Sequence, residues 1–110
     1  MTLTELVERA HEQSRKSGWY DGADAKRNIG EMLMLIVTEA AEAMEDYRNG
    51  KMEMSYEVSG KPVGFESEIA DIIVRCGDLC GYLNIDLEKA VEIKMNFNSL
   101  RSYRHGNKKA

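Results

Sequence analysis

An all-α fold, four helices packed as a bundle, is what this sequence predicts, and three observations carry it. Apolar residues recur at helical spacing through four long stretches. Helix-start chemistry precedes the first and last of them: Thr2 with Glu5, and Asp86. Within the second and third, acids stand three apart in apolar surroundings, Glu39 with Glu42 and Glu68 with Asp71. On a helix that spacing puts both carboxylates of a pair on one face.

Composition bounds the rest. The 110 residues are read as one domain, 1–110, with a short basic tail over 102–110. Hydrophobic residues at 43% and charged residues at 31% suit a soluble globular chain. The net charge of −4 argues against a partner that is a nucleic acid polymer, which asks for a basic surface. No apolar run is long enough for a bilayer, and no basic-then-apolar leader opens the sequence, so no membrane partner and a cytoplasmic location are expected. Cys76 and Cys80 lie a helical turn apart on an apolar stripe and read as buried reduced thiols rather than zinc ligands.

The first helix is expected over residues 2–17, with an apolar stripe of Leu3, Leu6, Val7 and Ala10 and a stop at Gly18. Trp19 and Tyr20 follow where the period breaks. Trp19 is a plug sealing one end of the bundle, or else Trp19 or Tyr20 is a stacking surface for a base. One aromatic pair is thin ground for the second, so the plug is the expectation. The second helix, 27–49, has a broad apolar face centred on Ile29, Leu33, Ile36, Val37, Ala40, Met44 and Tyr47, with Glu39 beside it. A helix apolar on most sides is buried centrally or between subunits, which points to an oligomer. Residues 50–63 lose the period, and Ser59-Gly60-Lys61-Pro62 is turn chemistry. A short hairpin or flap and a plain surface loop are equally compatible with it.

The third helix, 64–83, has a stripe of Ile69, Ile72, Ile73, Cys76, Leu79, Cys80 and Leu83, with Glu68 on one edge. Asp71, Arg75 and Asp78 continue that edge; Arg75 pairing with Asp71 or Asp78 reads either as a group that orients a ligand or as a surface ion pair worth little. The fourth helix, 86–101, begins apolar with Leu87, Ala90 and Val91. The same face then carries Lys94, Asn98 and Arg101, which project together. By itself this is a solvated helix end, where cations also suit the dipole. Beside four acids it reads as a stripe for phosphate.

Acids at the edge of a core are costly unless paired or metal-bound. A hard divalent cation removes their mutual repulsion and takes oxygen ligands. Glu39, Glu42, Glu68 and Asp71 are therefore a candidate Mg²⁺ site, with Mn²⁺ as a substitute, and a phosphate substrate follows. The basic tail, with Arg104, His105, Lys108 and Lys109, reads as a strap over phosphate or as solvated chain.

The pattern Glu39-x-x-Glu42, 25 residues, then Glu68-x-x-Asp71 resembles the MazG-like all-α nucleoside triphosphate pyrophosphatase superfamily. So do Gly60-Lys61-Pro62 with Gly64-Phe65-Glu66, and the ending Lys94-x-x-x-Asn98-x-x-Arg101-x-x-Arg104-His105-Gly106-x-Lys108. The likeness runs from about Asn28 to Lys108. It implies a four-helix fold assembled as a homodimer or homotetramer. It implies Mg²⁺-dependent hydrolysis of a nucleoside triphosphate to monophosphate and pyrophosphate. The family's metal ligands and catalytic acids carry over onto Glu39, Glu42, Glu68 and Asp71, and its phosphate or nucleotide contacts onto Lys94, Asn98 and Arg101. Many members have an acid directly before the first ligand; here that position is Thr38, which faces away on the helical wheel. Two alternatives stand beside this reading. One is a phosphoribosyl-ATP pyrophosphohydrolase. The other is a non-catalytic helical oligomer whose acids bind a structural cation or pair with Arg75.

Overall fold

The computed structural model describes residues 1–22 and 26–101. Among these lie four helices, α1 (Leu3–Lys16), α2 (Ile29–Arg48), α3 (Phe65–Tyr82) and α4 (Leu87–Ser99), and two short strands, β1 (Ser55–Tyr56) and β2 (Pro62–Val63). The expected helices are all present, each trimmed by a residue or two. The basic tail expected over 102–110 lies outside the described residues.

Side-chain caps fix three of the four starts. Thr2 and Glu5 close the expected capping box: Glu5 N–H donates to Thr2 Oγ1 (3.1 Å) and Thr2 N–H to Glu5 Oε1 (3.0 Å). Asn28 Oδ1 accepts from Glu31 N–H (3.0 Å) and Asp86 Oδ1 from Lys89 N–H (3.1 Å). Between α2 and α3 the chain takes the hairpin option, β1 antiparallel to β2 with Ser55 opposite Val63 and Tyr56 opposite Pro62. Its root is tied to α3. Phe65 N–H donates to Lys51 O (2.8 Å), Met54 N–H to Glu66 Oε1 (2.6 Å) and Ser67 Oγ to Pro62 O (3.1 Å).

Packing runs α2 on α3, α3 on α1 and α1 on α4, so α2 and α4 are the two ends of the series. The α1–α3 contact is close because Gly77 has no side chain: a Cβ there would stand 2.6 Å from Leu6 Cδ2 and 3.1 Å from Ala10 Cβ. The buried apolar residues are few: Val7, Ala10, Met32, Ala43 and Cys80.

Helix α2 presents a different face to α3 than the apolar pattern suggested. Met32, Glu39 and Ala43 are buried, while Ile29, Leu33, Val37, Met44 and Tyr47, expected at the centre of the buried face, are each more than two-fifths exposed. The reason is register. The broad apolar arc offers two adjoining stripes, and α3 covers only one of them. No helix among the described residues is long and apolar enough to cross a membrane. Cys80 is buried, Cys76 half-buried, and both thiols are free.

Candidate functional site

Three of the four expected acids converge. Glu39 and Glu42 stand one turn apart in the middle of α2, and Glu68 stands in the first turn of α3. One carboxylate oxygen from each lies within 4.8 Å of the others. The α2–α3 contact achieves this by aligning the second acid pair with the first, which spacing within either helix cannot do. Asp71 is outside this trio but lines the adjoining cleft together with Glu39.

The electrostatics follow from crowding. Burial raises Glu68, and the neighbouring carboxyls of Glu39 and Glu42 push it further, up to about 8. Burial acts on Glu39 in the same direction, but hydrogen bonds from Glu68, Arg75 and Glu42, with the Arg75 charge, hold it below the ordinary carboxylate value. Asp71 is raised by burial and by Glu39, an effect opposed by Arg75 and Lys61. Near neutral pH the metal-free trio therefore keeps a proton on Glu68. Two oxygens, Glu39 Oε2 and Glu68 Oε2, are buried without a side-chain or backbone partner. Either a proton held between them or a cation satisfies both, and the all-oxygen donor set suits Mg²⁺.

This makes a pH prediction. Above the ordinary carboxylate pKa the unfolded chain releases the proton that folded Glu68 retains. The metal-free protein is expected to lose stability as pH rises from about 4.5 to about 8 and to level off beyond. Mg²⁺ bound at the trio replaces the proton and should flatten that slope. Melting curves across this range, with and without Mg²⁺, check it, and a slope indifferent to the cation would place Mg²⁺ elsewhere.

Arg75 is not paired along its own helix, as expected from the sequence, but across to α2. Its Nε donates to Glu39 Oε1 at 2.9 Å. Helical spacing showed that Arg75 shares an edge with Glu68 but could not supply the α2–α3 register that brings Glu39 to it. Asp78 is taken by other groups: His11 Nδ1 lies 3.0 Å from its Oδ1, Tyr20 OH donates to that oxygen (2.8 Å), and Arg27 Nη1 stands 3.8 Å from Oδ2. Nothing in the sequence pattern singled out this His11–Tyr20–Arg27 set.

The plug expected of Trp19 is provided by Tyr20 instead, whose ring packs edge-on against His11 (4.9 Å) and tilted by 36° against Tyr82 (5.3 Å). Trp19 is 53% exposed, with the Arg27 guanidinium 5.1 Å from its ring centre. Gly18 takes a left-handed backbone conformation (φ 90°) just before the two aromatics, of which Tyr20 is the more buried. Trp19 lines a cleft of about 400 Å³ whose other lining residues come mainly from α1 and α3, with Glu39 from α2. Gln13 and Ser14 of α1 and Ser17 just past its end line it, together with Glu39, Asp71, Arg75 and Asp78.

Lys94, Asn98 and Arg101 are exposed on or just beyond α4, and none of them lines this cleft. Lys94 Nζ lies 5.9 Å and the Arg101 guanidinium 5.2 Å from the Phe97 ring centre. Helix α4, which carries the stripe, packs on α1. No protein-family profile, curated protein or solved structure matches the chain.

Proposed function

We infer that this protein is a Mg²⁺-dependent pyrophosphohydrolase that splits a nucleoside triphosphate into monophosphate and pyrophosphate. One observation carries the reading: three carboxylates, two with a buried unpartnered oxygen, converge, and one of them, Glu39, also lines a cleft to which an exposed tryptophan contributes. The cleft, about 400 Å³, is of the size that small-molecule ligands occupy. A metal site beside an aromatic wall suits a ligand with a polyphosphate at one end and a planar ring at the other. The resemblance to MazG-like sequences points to the same reaction.

Glu39, Glu42 and Glu68 are the residues to hold Mg²⁺, with Asp71 beside them on the cleft wall. Bound there, Mg²⁺ would neutralise phosphate charge and acidify a water for attack at the α–β linkage. Arg75 fixes Glu39 by its 2.9 Å hydrogen bond and, being about one-third exposed, adds positive charge at the cleft. Trp19 orients the base by stacking. Gln13 and Ser14 present polar groups to the base edge.

Trp19→Ala is expected to raise KM about tenfold with kcat nearly unchanged, since stacking is made alike in ground and transition states. Steady-state kinetics read the split, and an unchanged KM removes Trp19 from the site. The class itself is tested with a panel of ribo- and deoxyribonucleoside triphosphates and phosphoribosyl-ATP, supplied with Mg²⁺ and with products resolved. Monophosphate and pyrophosphate, lost on chelation, support it; diphosphate and phosphate would refute it.

The Arg75–Glu39 pair favours a second reading, a structural acid cluster that binds a cation without catalysis. It predicts thermal stabilisation by Mg²⁺ and no further shift from a non-hydrolysable triphosphate.

A further inference from the structure

Asp78 is a buried acid that the proposed chemistry leaves without a task. It stands on α3, on the edge that also carries Glu68, Asp71 and Arg75, and its side chain is 13% exposed. Burying a carboxylate is costly unless its neighbours supply hydrogen bonds and positive charge. Three groups do so here, none of them from α3. Tyr20 OH donates to Oδ1 at 2.8 Å, His11 Nδ1 lies 3.0 Å from the same oxygen, and Arg27 Nη1 stands 3.8 Å from Oδ2. Burial, and then the bond to Asp78, push the Tyr20 hydroxyl above the ordinary tyrosine range, so it stays protonated and stays a donor.

Two of these partners lead back to Trp19. Tyr20 is its neighbour in the chain, so holding the Tyr20 ring holds the backbone from which Trp19 projects. Arg27 faces it directly, with the guanidinium 5.1 Å from the Trp19 ring centre and 5.4 Å from that of Tyr20. Arg27 is itself pinned twice. Its backbone N–H donates to Tyr82 OH at 3.0 Å, and its side chain, 10% exposed, lies against Asp78. Tyr82 is one turn beyond Asp78 on α3. A half-exposed ring turns freely unless something holds it, and Arg27 is the group set against the face of Trp19.

One rigid helix therefore relates the acids to the aromatic. Glu68 and Asp78 lie roughly 15 Å apart along the axis of α3, at 1.5 Å per residue. At the first position stands the carboxylate trio, and at the second stands the anchor of the groups around Trp19.

We propose that Asp78 is a positioning residue: through Arg27 and Tyr20 it fixes the Trp19 ring at the distance from Glu39, Glu42 and Glu68 that a nucleotide spans when its phosphates lie at the acids. A ring fixed before the ligand arrives removes an ordering cost from binding. The ligand half of this statement rests on the pyrophosphohydrolase reading; the anchoring of Trp19 does not.

Trp19 is the one tryptophan in the chain, so intrinsic fluorescence reads it alone. Asp78→Asn keeps the volume and an oxygen for Tyr20 but removes the charge facing Arg27. Arg27→Gln takes the guanidinium off the ring. Each variant, with its helical circular dichroism intact, should show a higher acrylamide quenching constant and emission shifted to longer wavelength. Parental quenching in Arg27→Gln overturns the anchoring, whether or not Asp78→Asn folds, and parental quenching in a folded Asp78→Asn removes Asp78 as the anchor. The consequence for the ligand is read as a double-mutant cycle on nucleoside triphosphate hydrolysis. Asp78→Asn and Arg27→Gln should each raise KM about fivefold in the parent, and neither should raise it further in a Trp19→Ala background, where the ring they hold is gone. Asp78 also lines the cleft. A rise of equal size in both backgrounds would therefore mean that it meets the ligand itself or merely braces α3, and overturns positioning; no rise in the parent does the same. If the parent turns over no triphosphate, the functional reading has failed, and the quenching result still decides the anchoring.

Discussion

Glu39→Gln is expected to lose nucleotide turnover by on the order of a thousandfold and Mg²⁺ affinity by about a hundredfold, with the helices intact. Glu39 is the deepest of the trio at 7% exposed, and it is the one carboxylate held from outside the cluster, by Arg75. The amide keeps the volume and an oxygen that accepts from Arg75, so packing against α3 survives. What goes is a negative charge where three carboxylates meet. Removing it also relieves Glu68, whose raised proton affinity owes part of its shift to Glu39. Thermal stability without metal should therefore hold or rise slightly, while calorimetry shows weakened Mg²⁺ binding. A variant that binds Mg²⁺ as the parent does takes Glu39 out of the site. Asp71→Asn is the useful contrast. Asp71 lines the cleft but lies outside the trio, so turnover should fall while Mg²⁺ affinity changes only a few-fold. Retained activity in both variants would remove the site.

How much of this was legible in the sequence depends on whether a feature is local. The Thr2–Glu5 box, the Asp86 cap and the four helical spans are set within a few residues, and they stand where the pattern put them. The acid pairs were also legible, because three-residue spacing fixes a face. Periodicity does not say which neighbour a face meets. The α2 pattern gave an arc wide enough for two partners, and α3 took the stripe holding Glu39 rather than the one holding Leu33 and Val37. The same blindness to register hid the Arg75–Glu39 pair. Trp19 and Tyr20 were legible as a pair, but which ring turns inward is decided by the bond Tyr20 makes to Asp78. Two glycines four apart in α3, Gly77 and Gly81, are a signal of close helix approach that the sequence analysis did not use. At Gly77 the approaching helix is α1.

Gly64→Ala should be the most damaging small substitution in the chain, costing about 3 kcal/mol and lowering the melting temperature by about 10 °C or more. Two effects add. Gly64 sits at φ +109°, a conformation that residues with a side chain rarely adopt, and a Cβ there would overlap the carbonyl oxygen of Glu53. Neither can be relieved locally, because the obstructing atom is backbone and the hairpin root is held by Phe65 N–H on Lys51 O and Met54 N–H on Glu66. The consequence reaches the site. Gly64 caps α3, and its carbonyl accepts from Glu68 N–H at 3.1 Å, so any shift that clears Glu53 moves the turn that aims Glu68 at Glu39 and Glu42. Mg²⁺ affinity should fall with stability, although no carboxylate has been touched. Gly60→Ala is the control. It also has positive φ, +89°, but a Cβ there meets nothing within 4 Å, so it should cost only the backbone term, about 1 kcal/mol, and leave Mg²⁺ binding alone. Equal losses of affinity in the two variants would mean that hairpin strain in general, not the anchoring of Glu68 through Gly64, governs the site.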